Sequence, residues 1–362
     1  MQAEVRFNQL LTSNHPDKSI YHLGLKTTQP LNYQPGDWLM VFVENPPSLV
    51  DAVLAALHLT GQETLTVKRV GEVTVAEALQ SHLEIRLLAP ATLNKLKRSF
   101  QLSDWPDRQA MMDYADGKDL LDLLSDYPLL TGTAVCDCLT PLAPRYYSIA
   151  SCKEVVGEHR VDLVYRQVGY QQRGRWRQGL VTTTLSQKNE GDWLEVALSP
   201  NRSFKLPDSE ASKSSDIIMV AAGTGIAPFI GFCQHWFAAS NPVKKGQAWL
   251  FFGETHQSKS FLFESQLQQW VQQGLQLRTA FSQDQAEKVY VQDRLWQERA
   301  ALWPMLMKGA HLYVCGSQKK LWQGVEKTLL AMIVEQQGAS FEEAEATLRF
   351  WKKAGQVQLD VY

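Results

Sequence analysis

MVAAGTGIAPF, residues 219–229, carries a glycine-rich turn between a predicted strand and a predicted helix. The apolar run has the length of a buried strand, and Pro228 occupies the first turn of the helix that follows. Gly223 and Gly225 let the backbone approach a diphosphate, and the helix amino terminus offers free N–H groups. The segment departs from the dinucleotide fingerprint GxGxxG, because Pro228 stands where the third glycine would be. It predicts a phosphate-binding turn, with a tight turn that binds no ligand as the alternative.

Outward from this turn, strand-length apolar runs alternate with amphipathic helical stretches to the end of the chain. The predicted strands read IIMVAA, AWLFFG, LQLRTAFS, HLYVCG and VQLDVY. Continuous apolar strands that alternate with amphipathic helices are typical of a parallel sheet covered on both faces. We therefore predict a doubly wound α/β domain over residues 208–362, with ligands at the carboxyl ends of its strands.

In the residues before this domain, the pattern of apolar positions changes twice. Residues 1–43 predict β structure, with the apolar stretches SIYHLGLKT and DWLMVFVE separated by the turn signal YQPGD. Helix-spaced apolar positions follow from about residue 46 to residue 127, and strand patterns return at RYYSIAS, RVDLVYRQV and DWLEVAL. The sequence predicts one β domain, residues 1–43 and 141–207, interrupted by a helical insert, residues 44–140.

The composition excludes several classes of function. A net charge of -2 gives no pull toward nucleic acid or an anionic membrane, so neither partner is expected. The first residues, MQAEVRF, lack the pattern of a signal peptide, and the longest uncharged stretch is interrupted by glycines and a proline. We expect a cytoplasmic protein without membrane insertion. The five scattered cysteines, including the CxC pair Cys136 and Cys138, predict neither a disulfide framework nor a metal site.

RYYSIAS, residues 145–151, places a fixed cation and two aromatic rings on one short strand. Because side chains alternate along a strand, Arg145 and Tyr147 share a face about 7 Å apart. An arginine can hold a phosphate while a tyrosine stacks on a flat ring of the same molecule. Tyr146 faces the other way, and we predict that it packs in the core. Ordinary strand filler is the alternative for the heptapeptide alone.

A second glycine turn precedes the threonines of residues 182–184. Gly179 and these threonines can offer backbone N–H groups and hydroxyls to another phosphate, with ordinary β-strand material as the alternative. The basic RGRWR before them, residues 173–177, is interpreted as a solvated hairpin or a docking surface for an acidic partner.

Six segments together resemble a known family. RYYSIAS, GLVTTTL, GTGIAPF, FSQDQAEKVYVQ, YVCG and the terminal DVY occur in the order found in ferredoxin–NADP reductase-like modules. Helices inserted into the β domain are similar to those of the diflavin reductases, in particular the sulfite reductase flavoprotein subunit and then cytochrome P450 reductase. The resemblance, which extends from near Phe7 to Tyr362, implies an antiparallel FAD-binding β-barrel with a helical insert. A doubly wound parallel α/β NAD(P)-binding domain would follow it.

The resemblance also implies which residues contact FAD. Arg145 would hold the diphosphate, Tyr147 would stack on the isoalloxazine, and Ser148 would lie near flavin N5. The diphosphate would also be wrapped by Gly179, Val181 and Thr182.

The dinucleotide and the hydride-transfer residues follow from the same resemblance. Cys315 would lie near the nicotinamide, and Asp360 would join Ser148 and Cys315 as the catalytic set. Tyr362 would cover the flavin and move aside for the nicotinamide. Without the family, a buried strand cysteine and a frayed terminus are the alternatives, although VQLDVY predicts a terminus that is tied down. The dinucleotide diphosphate would be received by Gly223, Thr224 and Gly225.

One departure from the family concerns the nucleotide's 2′-phosphate. The family's Ser-Arg, Lys and Tyr correspond here to Ser282, Gln283, Lys288 and Tyr290. Gln283 lacks the charge-assisted contact of an arginine, worth about 1.5–3 kcal/mol. Lys288 keeps one positive charge, so we expect NADPH as the donor, with NADH as an open alternative.

Two further departures lie around the dinucleotide site. Ser317 replaces the aspartate of the family's CGD, and Glu254-Thr255 replaces the basic residue that follows FFG. We expect these changes to loosen the site.

The resemblance leads to a predicted function. Diflavin reductases carry an amino-terminal flavodoxin-like FMN domain, and this chain begins where such a domain would have ended. We therefore expect no FMN in this chain and a separate electron-acceptor protein, namely a flavodoxin, an FMN or iron–sulfur protein, or a haem protein. The predicted enzyme takes a hydride from NADPH onto FAD and passes single electrons on. Two alternatives stay open: reduction of a small acceptor (free flavin, a quinone or a ferric chelate), and a non-catalytic assembly subunit.

Overall fold

The structure, a computed structural model, describes residues 1–13, 15, 18–207, 216–238 and 246–362. Its strands are β1 (Gln2–Leu10), β2 (Ile20–Thr27), β3 (Trp38–Phe42), β4 (Thr64–Val67), β5 (Gly71–Thr74), β6 (Arg145–Ser148), β7 (Arg160–Arg166), β8 (Gly169–Gln172), β9 (Arg175–Gln178), β10 (Trp193–Ser199), β11 (Ile217–Ala222), β12 (Ala248–Glu254), β13 (Gln276–Phe281), β14 (His311–Gly316) and β15 (Val357–Val361). Its helices are α1 (Pro47–Leu57), α2 (Val75–Glu77), α3 (Pro90–Ser99), α4 (Arg108–Ala115), α5 (Leu120–Asp126), α6 (Thr133–Cys136), α7 (Lys153–Val156), α8 (Leu180–Ser186), α9 (Ala227–Phe237), α10 (Gln257–Ser260), α11 (Glu264–Gln272), α12 (Val291–Gln297), α13 (Arg299–Met307), α14 (Gln323–Gln337) and α15 (Phe341–Lys353). In addition, π-helical turns cover Ala78–His82 and Gln318–Trp322, and a 3-10 turn covers Gly223–Ile226. Nowhere in these described ranges does a helix have both the length and the apolar character needed to cross a membrane.

The chain divides into two compact units. The first unit contains Met1–Met40, Tyr146–Gln167 and Ser186–Tyr362, and the second contains Val41–Arg145 and Val168–Leu185. The domain boundaries given above stay predictions, and the one at residue 208 lies outside the described residues.

Six strands form a sheet in the order β6-β3-β10-β1-β2-β7. The pairs β1–β10, β1–β2 and β2–β7 are antiparallel. Just after β6, Ile149 bridges Leu163 of β7, and the Ala150 N–H donates to the Asp162 carbonyl at 2.7 Å. These bonds join the two ends of the strand order, so the sheet closes into a barrel, and the predicted antiparallel β-barrel is confirmed.

A second sheet has the order β13-β12-β11-β14-β15, and all four of its strand pairs are parallel. Its central strand β11 is buried on both faces: Ile218 and Val220 enter one apolar cluster, and Ile217 and Met219 enter the other. Helices α12–α15 supply the first cluster, and α9 and α11 supply the second. The predicted doubly wound α/β fold is therefore confirmed.

The second unit has an apolar core of its own, built mainly from helices. Leu57, Leu93 and Leu123, from α1, α3 and α5, are completely buried in it. The helical spacing of apolar residues predicted these helices. The hairpin β4–β5, which contributes Leu65 to the same core, was not predicted, because its four-residue strands carry too few positions to show a period.

Two local predictions are wrong. Tyr146 is 55% exposed and contacts Trp38 edge to face at 6.0 Å, because its side of β6 faces outward from the barrel instead of into the core. The threonines of residues 182–184 lie on helix α8 and not on a strand, so the β-strand alternative for that run also fails.

Candidate active site

Three of the predicted catalytic residues meet in the first unit, where Ser148 at the end of β6 lies beside the ends of the neighbouring parallel strands β14 and β15. Ser148 Oγ donates a hydrogen bond to Asp360 Oδ2 at 2.6 Å. Cys315 Sγ lies 3.7 Å from the same oxygen, as a thiol donor. Cys315 and Asp360 are direct partners in the β14–β15 register, so the sheet itself sets their separation.

Asp360 is held from its other side by a residue that the sequence analysis did not select. The indole N–H of Trp38 donates to Asp360 Oδ1 at 3.1 Å. Asp360 is 8% exposed, so its carboxylate is buried but bonded through both oxygens. The indole N–H of this partly buried tryptophan needs an acceptor, and that acceptor lies 322 residues further along the chain. Local pattern gives no signal for such a pair.

Cys315 is a thiol and not a thiolate in this environment. Burial raises the pKa of Cys315 well above its usual value, and the charge and hydrogen bond of Asp360 raise it further. The side chain therefore keeps its proton at neutral pH and serves as a donor to Asp360.

The glycine turn of residues 223–226 lies against the end of β14. A Cβ built on Gly225 would meet the Cys315 carbonyl oxygen at 2.1 Å and Gly316 Cα at 3.0 Å, so only glycine fits. Gly223 has a φ of +58°, which favours glycine for a different reason. The predicted strand, turn and helix form, with Pro228 in the first turn of α9. This narrow backbone cradle at the carboxyl edge of the sheet fits a dinucleotide diphosphate.

Tyr362 is tied to this cradle. Its hydroxyl and the Thr224 hydroxyl are 2.8 Å apart, and its backbone N–H donates to the Gly316 carbonyl at 3.1 Å. The Gln318 N–H in turn donates to the Tyr362 carbonyl at 2.9 Å. The side chain is nevertheless 67% exposed. The prediction of a tied-down carboxyl terminus is confirmed.

The predicted 2′-phosphate residues follow β13. The Ser282 N–H donates to the Glu254 carbonyl at 2.9 Å, which places this loop beside the end of β12. Gln283, Lys288 and Tyr290 are exposed on the same loop. The structure thus places the four side chains on one open segment, with Ser282 partly buried at its start.

Glu254, one of the departures from the family, is buried and paired. Its Oε2 accepts from the Lys18 ammonium at 2.8 Å and from the Thr255 N–H at 2.6 Å, whereas its Oε1 is buried without a hydrogen-bond partner. A Cβ on Gly223 would lie 3.5 Å from that Oε1. Ser317, the other departure, accepts from the Lys320 N–H at 3.2 Å and so caps the following turn. Both residues therefore have hydrogen-bonding partners within the chain itself.

In the second unit, Arg145 lies on a carboxylate. Its Nη2 donates to Glu84 Oε2 at 2.9 Å, and its Nη1 donates to the Ala143 carbonyl at 2.6 Å. Glu84 is fixed in turn, because its Oε1 accepts from the backbone N–H groups of Arg86 and Leu87. About a third of the Arg145 side chain is exposed, so a positioned guanidinium stays accessible to an anion.

The second glycine turn also belongs to this unit. The Thr182 hydroxyl accepts from the Val168 N–H at 3.2 Å and donates to the Gly179 carbonyl at 3.3 Å. A Cβ on Gly179 would meet Thr182 Oγ1 at 2.6 Å. Val181 is buried at 3% exposure, so its backbone, and not its side chain, is what this turn can offer to a ligand.

The hairpin β8–β9 forms as predicted and is largely exposed, but two of its cations pair with acids of the same unit. Arg175 and Arg177 both bind the carboxylates of Asp119 and Asp122, two acids that are 5–6% exposed at the start of α5. The Arg177 side chain is only 10% exposed. The interpretation as a solvated hairpin is therefore supported, whereas Arg175 and Arg177 are already paired with acids of the same unit instead of an external acidic partner.

Comparisons with known proteins agree with this architecture. Residues 219–327 match the sequence model of the oxidoreductase NAD-binding domain family. The sulfite reductase [NADPH] flavoprotein alpha-component of Pectobacterium atrosepticum is 35% identical over 371 residues, covering 100% of this chain and 60% of its own length. The proteins of that name from Escherichia coli O157:H7 and Salmonella typhimurium are each 36% identical over 372 residues. Each match covers 99% of this chain and 60% of the length of the other protein.

The chain thus spans about three fifths of the length of the relatives that it matches. The similarity, the family match and the two sheets agree with one another and with the resemblance found in the sequence. This chain has the two-domain fold of ferredoxin–NADP reductase-like modules and is a relative of the sulfite reductase flavoprotein.

Proposed function

We propose that this chain is an FAD-dependent reductase that takes electrons from NADPH and passes them singly to a separate acceptor protein. One observation carries the proposal: the carboxylate of Asp360 accepts from Ser148 at 2.6 Å and lies 3.7 Å from Cys315, whose carbonyl contacts the Gly225 cradle. A polar set for hydride transfer and a turn suited to a diphosphate therefore meet at one sheet edge. The comparisons support this, since the relatives are NADPH flavoproteins by name.

The residues present fit FAD in their donor chemistry. FAD, when bound, accepts a hydride and releases electrons one at a time. Tyr147, half-buried on β6, is the ring proposed to stack on the isoalloxazine, and the accessible guanidinium of Arg145 is proposed to hold the diphosphate. The backbone contacts to that diphosphate are proposed for Gly179, Val181 and Thr182.

Asp360 has the central part in the proposed chemistry. Its orientation is fixed by Trp38, and it orients the Ser148 hydroxyl and the Cys315 thiol in turn. A fixed carboxylate in a water-poor site stabilises the nicotinamide ring of the donor, which becomes positively charged as it loses hydride. Because Cys315 keeps its proton, its side chain donates to Asp360 and adds no negative charge of its own.

Tyr362 is proposed to cover the isoalloxazine and to leave when the nicotinamide arrives. Its exposed side chain is anchored by the hydroxyl contact to Thr224. Breaking one such neutral hydrogen bond costs about 0.5–1.5 kcal/mol, which is small against the binding energy of a dinucleotide. The backbone bonds with Gly316 and Gln318 would keep the terminus in place while the ring moves.

The donor is proposed to be NADPH. Ser282, Lys288 and Tyr290 supply one hydroxyl, one cation and one phenol on the open loop after β13. The neutral Gln283 weakens the preference over NADH, so the two nucleotides should differ less than an arginine would allow. Gln283→Arg should therefore raise the NADPH preference in kcat/KM about 10- to 150-fold, the equivalent of about 1.5–3 kcal/mol. Ala286→Arg, on the same exposed loop, is the matched control for added charge.

The acceptor is proposed to be another protein. The relatives are named as the alpha-component of sulfite reductase, so electron transfer to a second component is the reaction that their name suggests. A haem protein is our first choice among the acceptors that the sequence analysis named.

Anaerobic stopped-flow reduction of FAD-reconstituted protein tests this function. We expect NADPH to bleach the flavin absorbance in a rapid phase, and a haem protein acceptor to reoxidise it in one-electron steps. Protein that cannot be reconstituted with FAD would refute the proposal. Reoxidation by free flavin or quinone, but by no protein acceptor, would instead support the small-acceptor alternative.

A further inference from the structure

Apart from the proposed hydride-transfer residues, three side chains of metal-binding chemistry meet in the first unit. Cys152 Sγ lies 2.9 Å from Glu154 Oε2 and 3.8 Å from His235 Nδ1. The three ligand atoms all lie within 4.8 Å of one another. We propose that this Cys–Glu–His cluster binds one zinc-class divalent cation, with the fourth ligand position open to water.

The backbone holds two of these residues in place. A Cβ on Gly231 would come within 2.7 Å of the Ser151 carbonyl oxygen, so a glycine lets α9 approach the segment after β6 unusually closely. His235 lies one turn beyond Gly231 on the same face of α9. The neighbouring Gln234 accepts the Cys152 N–H at 2.8 Å, which fixes the cysteine backbone against the helix. The separation of sulfur and imidazole is therefore a property of packing.

The geometry suits a tetrahedral thiophilic ion. Zinc–sulfur and zinc–nitrogen bonds at tetrahedral angles place sulfur and nitrogen about 3.5 Å apart, close to the 3.8 Å found here. The shorter sulfur–oxygen distance is that of a thiol donating to a carboxylate, and Glu154 is exposed on the four-residue helix α7, so it can withdraw to a ligand distance.

The donor set also selects the class of ion. One sulfur, one imidazole and one carboxylate favour zinc, cobalt or cadmium over magnesium or calcium, which prefer oxygen alone. Burial, and then the hydrogen bond to Glu154, raises the pKa of Cys152 to about 12, so the ion would take the place of the thiol proton. Within the described ranges, this is the group in which three such ligands converge.

The same helix provides a matched control. Cys233 lies two residues before His235, is a free thiol like Cys152, and is fully buried, with its pKa raised by burial alone. It has the same sulfur chemistry but is not one of the three residues whose ligand atoms converge.

Metal titration of the full-length, reduced protein tests the site. We expect one equivalent of Cd²⁺ to give a thiolate-to-metal charge-transfer band, and Co²⁺ to give the visible bands of tetrahedral coordination. We expect Cd²⁺ binding to weaken about 100-fold or more in each of the variants Cys152→Ser, His235→Gln and Glu154→Gln. Loss of a residue that only hydrogen-bonds a metal ligand typically weakens binding about 10- to 100-fold. Cys233→Ser should bind Cd²⁺ as tightly as the wild-type protein.

A second measurement guards against misfolded variants. Zinc should raise the thermal midpoint of the wild-type and Cys233→Ser proteins and leave that of His235→Gln, a partly exposed position, unchanged. The proposal would be overturned by the absence of saturable one-to-one binding. It would equally be overturned by a band that survives both His235→Gln and Glu154→Gln, since that result means a lone-thiol adduct.

Discussion

Replacing Ser148 by alanine tests the central hydrogen bond of the proposed active site. The Ser148 hydroxyl donates to a buried carboxylate at 2.6 Å, and a hydrogen bond to a charged group contributes about 1.5–3 kcal/mol. Trp38 continues to bond Asp360 in the variant, so the carboxylate keeps one strong donor. We expect the free energy of unfolding to fall by about 1.5–3 kcal/mol. Hydride transfer slows only by the amount that this bond strengthens in the transition state, and a strengthening of about 1.5–3 kcal/mol there corresponds to a rate loss of about 10- to 150-fold.

A double-mutant cycle with Asp360→Ala separates this pair from the other partners of Asp360. Asp360→Ala removes the bonds to Trp38 and Cys315 as well, but the cycle subtracts them. We expect a coupling energy of about 1–3 kcal/mol, because the two groups are in direct contact. Ser203→Ala is the control: its hydroxyl donates to the neutral Asn201 amide at 3.1 Å, so its loss should cost only about 0.5–1.5 kcal/mol.

Two assays read the cycle. Urea unfolding of the FAD-loaded proteins gives the stability coupling, and anaerobic stopped-flow reduction by NADPH gives the coupling in hydride transfer. Single-variant effects that add to within about 0.5 kcal/mol in both assays would refute the reasoning. Flavin reduction by Ser148→Ala at the wild-type rate would refute the catalytic part alone.

Three further predictions follow from other parts of the first unit. Gly225→Ala forces a Cβ onto the Cys315 carbonyl, so we expect nucleotide binding to be lost, measured by calorimetry, and stability to fall by about 1–3 kcal/mol. Lys18→Met leaves the buried Glu254 carboxylate without its cation and should lower the free energy of unfolding, measured in urea, by about 3–5 kcal/mol. Burial lowers the pKa of His311, so the folded state disfavours its protonation. The neutral His311 of the folded protein therefore costs no stability above about pH 6.5, whereas the free energy of unfolding falls as the pH drops below that value and the unfolded chain takes up the proton. His311→Gln should remove this part of the pH dependence of unfolding.

Each of these has a control. Gly223→Ala changes a residue of the same turn with a positive φ but a Cβ in ordinary contact, so a loss of stability as large as that of Gly225→Ala would argue against the steric explanation. Glu254→Gln should recover most of the stability lost in Lys18→Met, and no recovery would mean that the charge pair is not the cause. Equal slopes of unfolding free energy against pH for the wild-type and His311→Gln proteins would rule out His311 as a contributor.

Much of the fold was predictable because its signals are local. The buried run of β11, the glycine turn and Pro228 at the start of α9 lie in one continuous segment, and each constrains the backbone at that place. Helix spacing likewise predicted α1, α3 and α5. The hairpin β4–β5 escaped prediction because short strands carry little periodicity.

The candidate site was predictable only in part. The family resemblance selected Ser148, Cys315 and Asp360, and the structure brings them together through one carboxylate. It did not select Trp38, which fixes that carboxylate, or Glu84, which positions Arg145. These partners act through their own contacts with the selected residues, and nothing in the local sequence around them marks that role.

The sequence by itself determined most of the order of elements, the two main sheets and the glycine turn, because strand and helix periodicity and the constraints of glycine and proline act over a few neighbouring residues. The tertiary structure alone decided which polar groups meet. It turned Arg175 and Arg177 toward the acids of α5, left Tyr146 exposed, and brought Cys152 to His235. Those pairings join residues 53 or more positions apart, and they depend on the burial and close packing of whole elements, which no local pattern encodes.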